Sequence, residues 1–463
     1  MAVTIEQKPL KNVLPVGQQV MFAISMNTIV ATKFKVKFVA EVHVGTQSIN
    51  LSNSNDLIGT FKTVPNNKGV GIFNLRSILE TFLSPDQLGN PTGNGSRYKT
   101  STVTHPLHLI DKISRQTDSM RYFAVQFKVE YSESATGTVL SPSNATDSDL
   151  YQMFNGVLNY DNILTLENNN YGFNLTTAKF FPLATGDNKF LSNAPTTQYA
   201  FINDYGTLPF LNFLPPNNPK RLAKFTLTYY WDGGSSAETI NTNYTNGGQT
   251  NYTSLISTHL MYFGGFPANL RNWSSTFATA ITNGLTHYTI QSKDESDVDI
   301  GELYTINILC DSLKGFEPIR LAWLNQWGTW DYYTFNMKST RSVKNKRTSY
   351  TQIDGTWNED SFKIYGYKGG KKNFRVNSTE KIKINSDYIT EEEAVWFEDL
   401  INSTEVYLIK GFSTDVADTI TNKYVEPVTL TTSSYTRKTI ANDKLIQYTF
   451  EIEKSRMQRT QSV

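Results

Sequence analysis

The feature that most constrains the fold of this chain is an alternation of apolar and polar side chains with a period of two residues. It is clearest in residues 33–44, KFKVKFVAEVHV. Successive side chains of a β-strand point to opposite faces, so this period predicts a half-buried strand. The side chains predicted to face inward are Phe34, Val36, Phe38, Ala40, Val42 and Val44, and those predicted to face solvent are Lys33, Lys35, Lys37, Glu41 and His43.

The same alternation recurs along the chain. It is present in YFAVQFKVEY (122–131), in AKFTLTYYWDGG (223–234) and in KLIQYTFEIE (444–453). The second of these ends in Asp232-Gly233, a dipeptide that favours a tight hairpin turn. Strand signals that recur from one end to the other predict a mainly β protein built from sandwich-like units.

Two segments have helical rather than strand periodicity. In NLRSILETFLS (74–84), Asn74 can cap a helix that carries an apolar stripe. In ITEEEAVWFEDLINS (389–403), Thr390 and Glu393 form a capping box, so we predict an amphipathic helix over 390–402. Both are expected to be short helices that cover a sheet.

The chain is long enough for several domains, and two breaks in the pattern suggest where they meet. The segment PFLNFLPPNNPKR (209–221) contains Pro215, Pro216 and Pro219, which prevent regular strand pairing. A second break falls near residues 313–315. We therefore predict a domain over 1–214 that contains a long polar loop (84–102), a sandwich-like domain over 215–314, and a β domain over 315–463 that carries the helix.

Charge and targeting signals restrict the possible partners. Lys plus Arg number 43 against 42 Asp plus Glu, a net charge of +1, so bulk attraction to nucleic acid or to an anionic membrane is not expected. The single cysteine, Cys310, can form neither an internal disulfide nor a cysteine metal site. No signal peptide or membrane-length apolar run is present, so we expect cytoplasmic synthesis and no membrane insertion. The sequons at Asn174, Asn243 and Asn272 are interpreted as products of composition.

Motifs for catalysis or metal binding are weak. The acidic run KDESDVDIGE (293–302) could hold calcium or form a solvated turn, and its glycine is misplaced for a helix-loop-helix calcium site. His105 and His108 lack the companions of a zinc site, and no G-x-S-x-G is present. A glycosidase needs only two carboxylates in a cleft, which the sequence neither supports nor excludes. We predict no catalytic residues, no metal and no cofactor.

Basic residues are concentrated in two nearby segments, 338–347 and 367–375. The residues are Lys338, Arg341, Lys344, Lys346, Arg347, Lys368, Lys371, Lys372 and Arg375. One interpretation is the solvated face and tip of a β-hairpin, with the lysines discouraging edge-to-edge association. The other is a contact with an anion, either an acidic neighbouring subunit or DNA.

Aromatic residues are densest in RLAWLNQWGTWDYYTFNM (320–337). The pattern predicts a hairpin with strands 319–324 and 329–337 joined by a turn at 325–328. On the second strand Trp330 and Tyr332 share one face, while Tyr333 and Phe335 share the other. Because both faces carry rings, we predict that one packs inside the domain and the other meets a partner, either a neighbouring subunit or a sugar.

Six segments taken in chain order carry a resemblance to a known family. They are KFKVKFVAEVHV, GVGIFNLRSILETFLS, RYFAVQFKVEYSE, FEPIRLAWLNQWGTWDYYTFNMKSTRSV, KINSDYITEEEAVWFEDLINSTEVYLI and YTRKTIANDKLIQYTFEIE. Together they resemble virion structural proteins, of the tail, from bacteriophages that infect Bacteroidota, including crAss-like phages. The resemblance covers most of the chain and is weakest around 135–210 and 232–300. It implies a scaffold role and assigns no active site.

The resemblance and the pattern together predict a non-enzymatic structural component of a phage virion, a tail hub, ring or adaptor. The resemblance implies copies in a ring, six-fold or twelve-fold, with other tail proteins as partners and DNA nearby in the tail channel. The alternative is a carbohydrate- or receptor-binding tail module that uses the aromatic hairpin. The predicted interface residues are Trp327, Trp330, Tyr332, Tyr333, Phe335, Lys338, Arg341, Lys344, Lys346, Arg347, Glu391, Glu392 and Glu393.

Overall fold

The structure is a computed structural model of the chain. It describes residues 2–9, 13–46, 49–52, 54–88, 106–115, 118–140, 145–158, 190–213, 222–241, 258–294, 296–309, 315–357, 360–410, 425–436 and 446–459. Several features of the sequence lie outside these residues: the loop segment 89–102, His105, Asn174, Pro215, Pro216, Pro219, Asn243, Glu295 and Cys310.

The mainly β fold predicted from the alternation is confirmed. The strands are β1 (Thr4–Gln7), β2 (Val13–Pro15), β3 (Met21–Ser25), β4 (Phe34–Gly45), β5 (Leu57–Thr63), β6 (Val70–Asn74), β7 (Ile113–Arg115), β8 (Met120–Ser132), β9 (Thr146–Asp147), β10 (Tyr151–Phe154), β11 (Thr197–Phe201), β12 (Leu208–Phe213), β13 (Lys224–Trp231) and β14 (Gly234–Asn241). They continue with β15 (Thr258–Phe263), β16 (Leu285–Lys293), β17 (Asp299–Leu309), β18 (Ile319–Leu324), β19 (Trp330–Phe335), β20 (Thr340–Gln352), β21 (Gly355–Trp357), β22 (Phe362–Ile364), β23 (Gly370–Asn385), β24 (Val406–Ile409), β25 (Val425–Leu430), β26 (Thr449–Lys454) and β27 (Gln458–Arg459).

Short helices connect these strands. They are α1 (Asn27–Thr32), α2 (Arg76–Leu79), α3 (Pro267–Arg271), α4 (Ser275–Thr282) and α5 (Glu391–Asn402), with 3₁₀ turns at Glu80–Phe82 and Leu107–Leu109. The two predicted helices are α2 and α5. Helices α1, α3 and α4 were not predicted; each is shorter than the window of about 11 residues over which helical periodicity is recognised.

The described residues form two compact units. Unit 1 comprises residues up to Leu309 together with Leu324–Asp331, and unit 2 comprises 315–323, 332–410 and 425–459. Unit 1 contains sheets of order β1-β3-β6, β2-β10-β8-β4-β5 (with β9 beside β8), β11-β17-β16-β13-β14 and β12-β15-β7. Unit 2 contains a large sheet of order β19-β18-β24-β25-β26-β23-β20, with β27 beside β23, and the pair β21-β22.

Unit 1 is built from two pairs of sheets that pack face to face. In the first pair, the ring of Phe22 on β3 lies 5.3 Å from that of Phe127 on β8, between the β1-β3-β6 sheet and its partner. In the second pair, Phe225 on β13 stacks at 4.6 Å on Phe263 of β15. All four rings are completely buried. Alternate side chains from both faces therefore fill each core, as in a β-sandwich.

The predicted boundary at 214/215 does not separate two compact units. Strand β12 pairs with β15 along its whole length, and β15 pairs with β7, so one sheet takes strands from both predicted domains. The buried Asn269 also donates its amide to the carbonyl oxygens of His108 and Ile110, at 3.0 and 2.7 Å. Strand pairing therefore places residues from both sides of the proline-rich segment in one sheet.

Two side chains of β4 differ from the predicted alternation. Phe34 is 48% exposed although it was predicted to face inward, and His43 is buried although it was predicted to face solvent. The strand has an irregularity between Phe34 and Lys37, where Lys35 has a positive φ of 53°. His43 lies in the middle of a sheet, opposite Ala124 on β8 and Leu57 on β5. These two residues flank it on both sides within the sheet.

Candidate assembly arm

The aromatic hairpin folds as predicted. Strands β18 and β19 flank a turn at 325–328, in which the Gly328 N–H donates to the Asn325 carbonyl at 3.0 Å. The Asn325 amide and the Thr329 hydroxyl both donate to the carbonyl oxygen of Leu191, at 3.0 and 2.7 Å. Gly328 has a φ of +71°, which favours glycine.

The rings of this hairpin do not form an exposed patch, which corrects the prediction. Trp327, Trp330, Tyr332 and Phe335 are each no more than 4% exposed. Trp330 donates its indole N–H to the Asp86 carbonyl oxygen at 2.6 Å, and its ring meets the edge of His108 at 4.9 Å. Because these ring faces are covered by the chain itself, they can serve neither as a subunit interface nor as a sugar platform.

The opposite face of β19 is also covered, by helix α5. The rings of Tyr333 and Phe335 lie 4.9 and 6.0 Å from that of Phe397. The Tyr333 hydroxyl accepts the backbone N–H of Asp387 at 3.2 Å, and burial raises the pKa of this hydroxyl. Both faces of the hairpin are thus part of the core, and neither is available to a partner.

The acidic start of α5 is accounted for by capping. The Thr390 hydroxyl accepts the backbone N–H of Glu393 at 3.2 Å, and the Glu393 carboxylate accepts the N–H of Thr390 at 2.8 Å. This is the predicted capping box, and burial raises the pKa of Glu393. Glu391 and Glu392 are exposed in the first turn, where negative charge is favoured by the helix dipole.

The acidic run before β17 forms a tight turn. The buried Asp294 accepts the backbone N–H groups of Ser296 and Val298 at 2.8 and 2.9 Å. Asp297 pairs with Lys224, and Asp299 pairs with Lys293 at 2.5 Å. These carboxylates are used by the turn and by neighbouring lysines, as the solvated-turn interpretation expected.

The predicted basic residues lie on a long, largely exposed arm, which is two strands wide except where β26 and β27 pair with β23. We define the arm as residues 340–357 and 360–385, which comprise β20 to β23. Strands β20 and β23 pair in antiparallel register from Thr340–Lys383 to Gln352–Gly370. Every residue of β20 from Thr340 to Ser349 is exposed, and β20 is the last strand of its sheet. Lys338, Arg341, Lys344, Lys346 and Arg347 are therefore brought together in one element, on it or just before it.

At the base of the arm the charges are paired. Arg341 contacts Glu317 at 2.6 Å and Glu380 at 3.1 Å. Glu380 also contacts Lys454 at 2.7 Å, and the hydrogen bond from Lys454 holds the pKa of Glu380 below its usual range. The base is thus fixed to the sheet by ion pairs between strands.

Beyond the base, the arm is strongly basic. Residues 343–376 contain eight basic and three acidic residues, a net charge of +5, whereas the whole chain has +1. We define the shaft as 343–352 with 370–380, and the tip as 353–357 with 360–369. None of Lys344, Lys346, Lys372 and Arg375 is in a salt bridge with a described carboxylate. Their charge is therefore not neutralised by any carboxylate in the described part of the chain.

The tip carries large apolar side chains that nothing in the described residues covers. Strand β21 pairs with β22 in the register Gly355–Ile364 and Trp357–Phe362, so these positions share one face. Trp357, Phe362 and Ile364 are 68%, 52% and 74% exposed. Ile353 and Tyr367 nearby are equally open, at 74% and 73%. An exposed apolar cluster at the end of a projecting hairpin is typical of a site that binds another protein.

The exposed apolar tip was not predicted from the sequence. Its apolar residues are separated by polar ones, as in any half-buried strand, so the pattern alone suggested no unusual exposure. The sequence signal that could have indicated an exposed arm is the segment 340–352, which is long enough for a strand but has no apolar alternation. A strand without apolar side chains cannot lie in a core.

The described residues contain neither a metal site nor a membrane-spanning helix. Among them, no group of three or more His, Cys, Asp or Glu side chains is arranged to hold a metal ion. No helix in the described part of the chain is long and apolar enough to cross a membrane.

Comparison with known proteins adds little to this geometry. No family model matches the chain, and no curated protein matches it. Among solved structures, the native conformation of Escherichia coli alpha-2-macroglobulin, seen by electron cryomicroscopy, aligns with 82% of this chain and 22% of its own at 8% identity. The TM-score of 0.18 is too low to support a shared fold. The chain spans about a fifth of the length of that protein.

Proposed function

We propose that this chain is a non-enzymatic structural component of a bacteriophage virion, a tail hub, ring or adaptor that assembles as copies around the tail axis. The observation that carries an assembly role is the exposed apolar tip of the arm. An isolated two-stranded ribbon is marginally stable in water, and open Trp, Phe and Ile side chains favour association. Docking of the tip on a neighbouring subunit would bury these side chains and stabilise the ribbon. The assignment to a phage tail rests on the resemblance of the quoted segments.

The arm replaces the aromatic hairpin as the proposed contact between copies. Head-to-tail contacts repeated by rotation close into a ring, and each copy then needs one projecting element and one receiving surface. The arm supplies the projecting element, with aromatic residues of the kind enriched at interface cores. Burial of Trp327, Trp330 and Tyr332 disfavours the carbohydrate-binding alternative.

Electron cryomicroscopy of purified virions tests this proposal. We expect the chain in the tail, with the side chains of Trp357, Phe362 and Ile364 covered by a neighbouring protein. A virion that lacks the chain would contradict the phage assignment. A virion that contains it with the tip in solvent would contradict the docking role alone.

A matched pair of variants tests the role of the tip in assembly. Replacing Trp357 and Phe362 by Ser removes apolar surface from the tip, whereas replacing Thr356 and Lys363 by Ser alters the opposite face of the same two strands. In phage carrying the first pair we expect at least about a tenfold loss of completed tails, and in phage carrying the second pair little change, since hot-spot energy resides in buried aromatic anchors. Equal losses would argue against an apolar docking face.

A further inference from the structure

The two faces of the shaft differ in chemistry. On one face, four successive cross-strand pairs each combine a cation with a neutral hydrogen-bonding side chain; they are Lys344–Thr379, Lys346–Asn377, Arg375–Thr348 and Lys372–Tyr350. We call this the basic face. The opposite face mixes apolar, acidic and basic residues in the pairs Val343–Glu380, Asn345–Ser378, Arg347–Val376, Ser349–Asn373 and Thr351–Lys371.

The cations of the basic face are accessible. Lys344, Lys346 and Arg375 are exposed, and Lys372 is half-buried. The Arg375 guanidinium is oriented by a hydrogen bond from Nε to the Asn377 amide oxygen at 2.9 Å, and the Lys372 ammonium donates to the Tyr367 carbonyl at 3.3 Å. These contacts position the side chains, and no described carboxylate pairs with them, unlike Arg341 at the base.

The four pairs of the basic face are regularly spaced along β20, since alternate residues on one face of a strand lie about 6.7 Å apart and the pairs span ~20 Å. Lys344 and Lys346 lie on β20 and Arg375 and Lys372 on β23. A register shift after the Thr348–Arg375 pair leaves Phe374 unpaired and keeps Lys372 on the basic face. DNA presents its phosphates at similarly regular intervals, one per about 3.4 Å of rise on each strand. The row of cations therefore matches the regular phosphates of nucleic acid.

The neutral partners support the same chemistry. Thr, Asn and Tyr side chains, together with Lys and Arg, are the groups that commonly contact phosphate oxygens. Beyond Asn377 and Ser378, where β27 pairs with β23, the shaft is only two strands wide. A ribbon of this width is narrow enough to lie against a duplex or within its major groove, which is about 12 Å wide.

From these observations we infer that the basic face of the shaft is a binding surface for the phosphodiester backbone of double-stranded DNA, without sequence preference. The inference rests on the shaft alone and does not depend on the proposed virion role. A simpler interpretation is that the lysines only protect an open strand edge. That interpretation explains the positive charge on the arm, but it does not explain why one face of the shaft has no acidic residue.

Fluorescence anisotropy with labelled duplexes of about 20 base pairs and two unrelated sequences tests this inference. Four phosphate contacts predict that log Kobs falls with log salt concentration with a slope of about −3.6, equally for both sequences. A single-stranded oligonucleotide of the same length and poly-glutamate serve as competitors. Equal or tighter binding of either competitor would overturn the assignment to duplex DNA, as would the absence of binding at ~50 mM salt.

Two double variants with the same change in charge locate the site. Lys344→Gln with Lys346→Gln removes two cations from the basic face, and Arg347→Gln with Lys371→Gln removes two from the opposite face. We expect the first pair to halve the salt slope and weaken binding at least about tenfold, and the control pair to weaken it less than about threefold. Equal losses would mean that only total charge matters and would overturn the face assignment. Melting temperatures equal to that of the wild-type chain would show that both variants are folded.

Discussion

At the scale of single residues, Gly328 has the strictest requirement in the aromatic hairpin. Its φ is +71°, and a Cβ atom added there would lie 1.6 Å from the Asn155 carbonyl oxygen. We expect Gly328→Ala to lower the stability of unit 1 by at least about 3 kcal/mol, since a left-handed backbone and a clash with main chain add together. Thermal unfolding followed by circular dichroism measures the loss.

Gly233 provides the control for this substitution. It lies in the turn between β13 and β14, also in unit 1, with a φ of +83° and nothing within 4 Å of an added Cβ. Gly233→Ala should therefore lower the free energy of unfolding by about 1 kcal/mol, the cost of a left-handed backbone conformation alone. If both substitutions have equal cost, the close approach to Asn155 is not important for stability.

His43 gives the fold a dependence on pH. Its side chain is buried on β4, and in the described part of the chain neither ring nitrogen has a hydrogen-bond partner. Burial lowers its pKa, with Lys128 acting in the same direction, while Glu41, Asp56 and Asp147 oppose the shift. The unfolded state thus binds a proton more readily than the folded state, so stability falls as pH drops below the unfolded value of 6.5.

The variant His43→Gln removes this titration and keeps a polar side chain. Between pH 7 and pH 5 the melting temperature of the wild-type chain should fall more steeply than that of the variant. Carboxylates contribute to both proteins alike, so the difference isolates His43. Parallel curves for the two proteins would show that His43 is not the titrating group.

At the scale of secondary-structure elements, the arm is expected to contribute little to the stability of unit 2. The β20 strand of its shaft and most of its tip are exposed, whereas 376–380 on β23 are half-buried. Its base is held by the ion pair of Arg341 with Glu380. Val343 and Glu380 are direct cross-strand partners, so a two-residue Asn-Gly turn can join them in place of 344–379. The shortened chain retains the ion pair between Arg341 and Glu380. We expect the stability of unit 2 to change by no more than about 0.5 kcal/mol, as for exposed surface.

Calorimetry of the shortened chain is the measurement, and the full chain is the reference. The shortened chain should also lose DNA binding and tail assembly, if the proposals for shaft and tip hold. A large loss of stability would instead show that the arm is part of the fold.

At the scale of the whole molecule, the two compact units should unfold as separate transitions. Phe22 lies in the core of unit 1, and Phe450 lies in the ring cluster of unit 2, 5.6 Å from Phe397. Each Phe→Ala substitution should destabilise its own unit by about 3–5 kcal/mol. In differential scanning calorimetry, Phe22→Ala should shift one transition and Phe450→Ala the other. A single transition that moves with both variants would contradict this division.

Local structure could be predicted from the sequence wherever local chemistry decides it. The alternation in 122–131, the turn at 325–328 and the capping box of Thr390 and Glu393 were all predicted from neighbouring residues, and all are present. Strand period, turn residues and caps depend on contacts between residues a few positions apart, so a single sequence carries that information.

Only the tertiary structure decided which surfaces are free. The rings of Trp330 and Phe335 looked like an exposed patch, but Asp86, His108 and helix α5 cover them. The basic segment looked uniform, but Arg341 is neutralised by distant carboxylates while Lys344 and Lys346 are not. Exposure and charge compensation depend on residues brought together from far along the chain, and the pattern of a segment contains no record of what will pack against it.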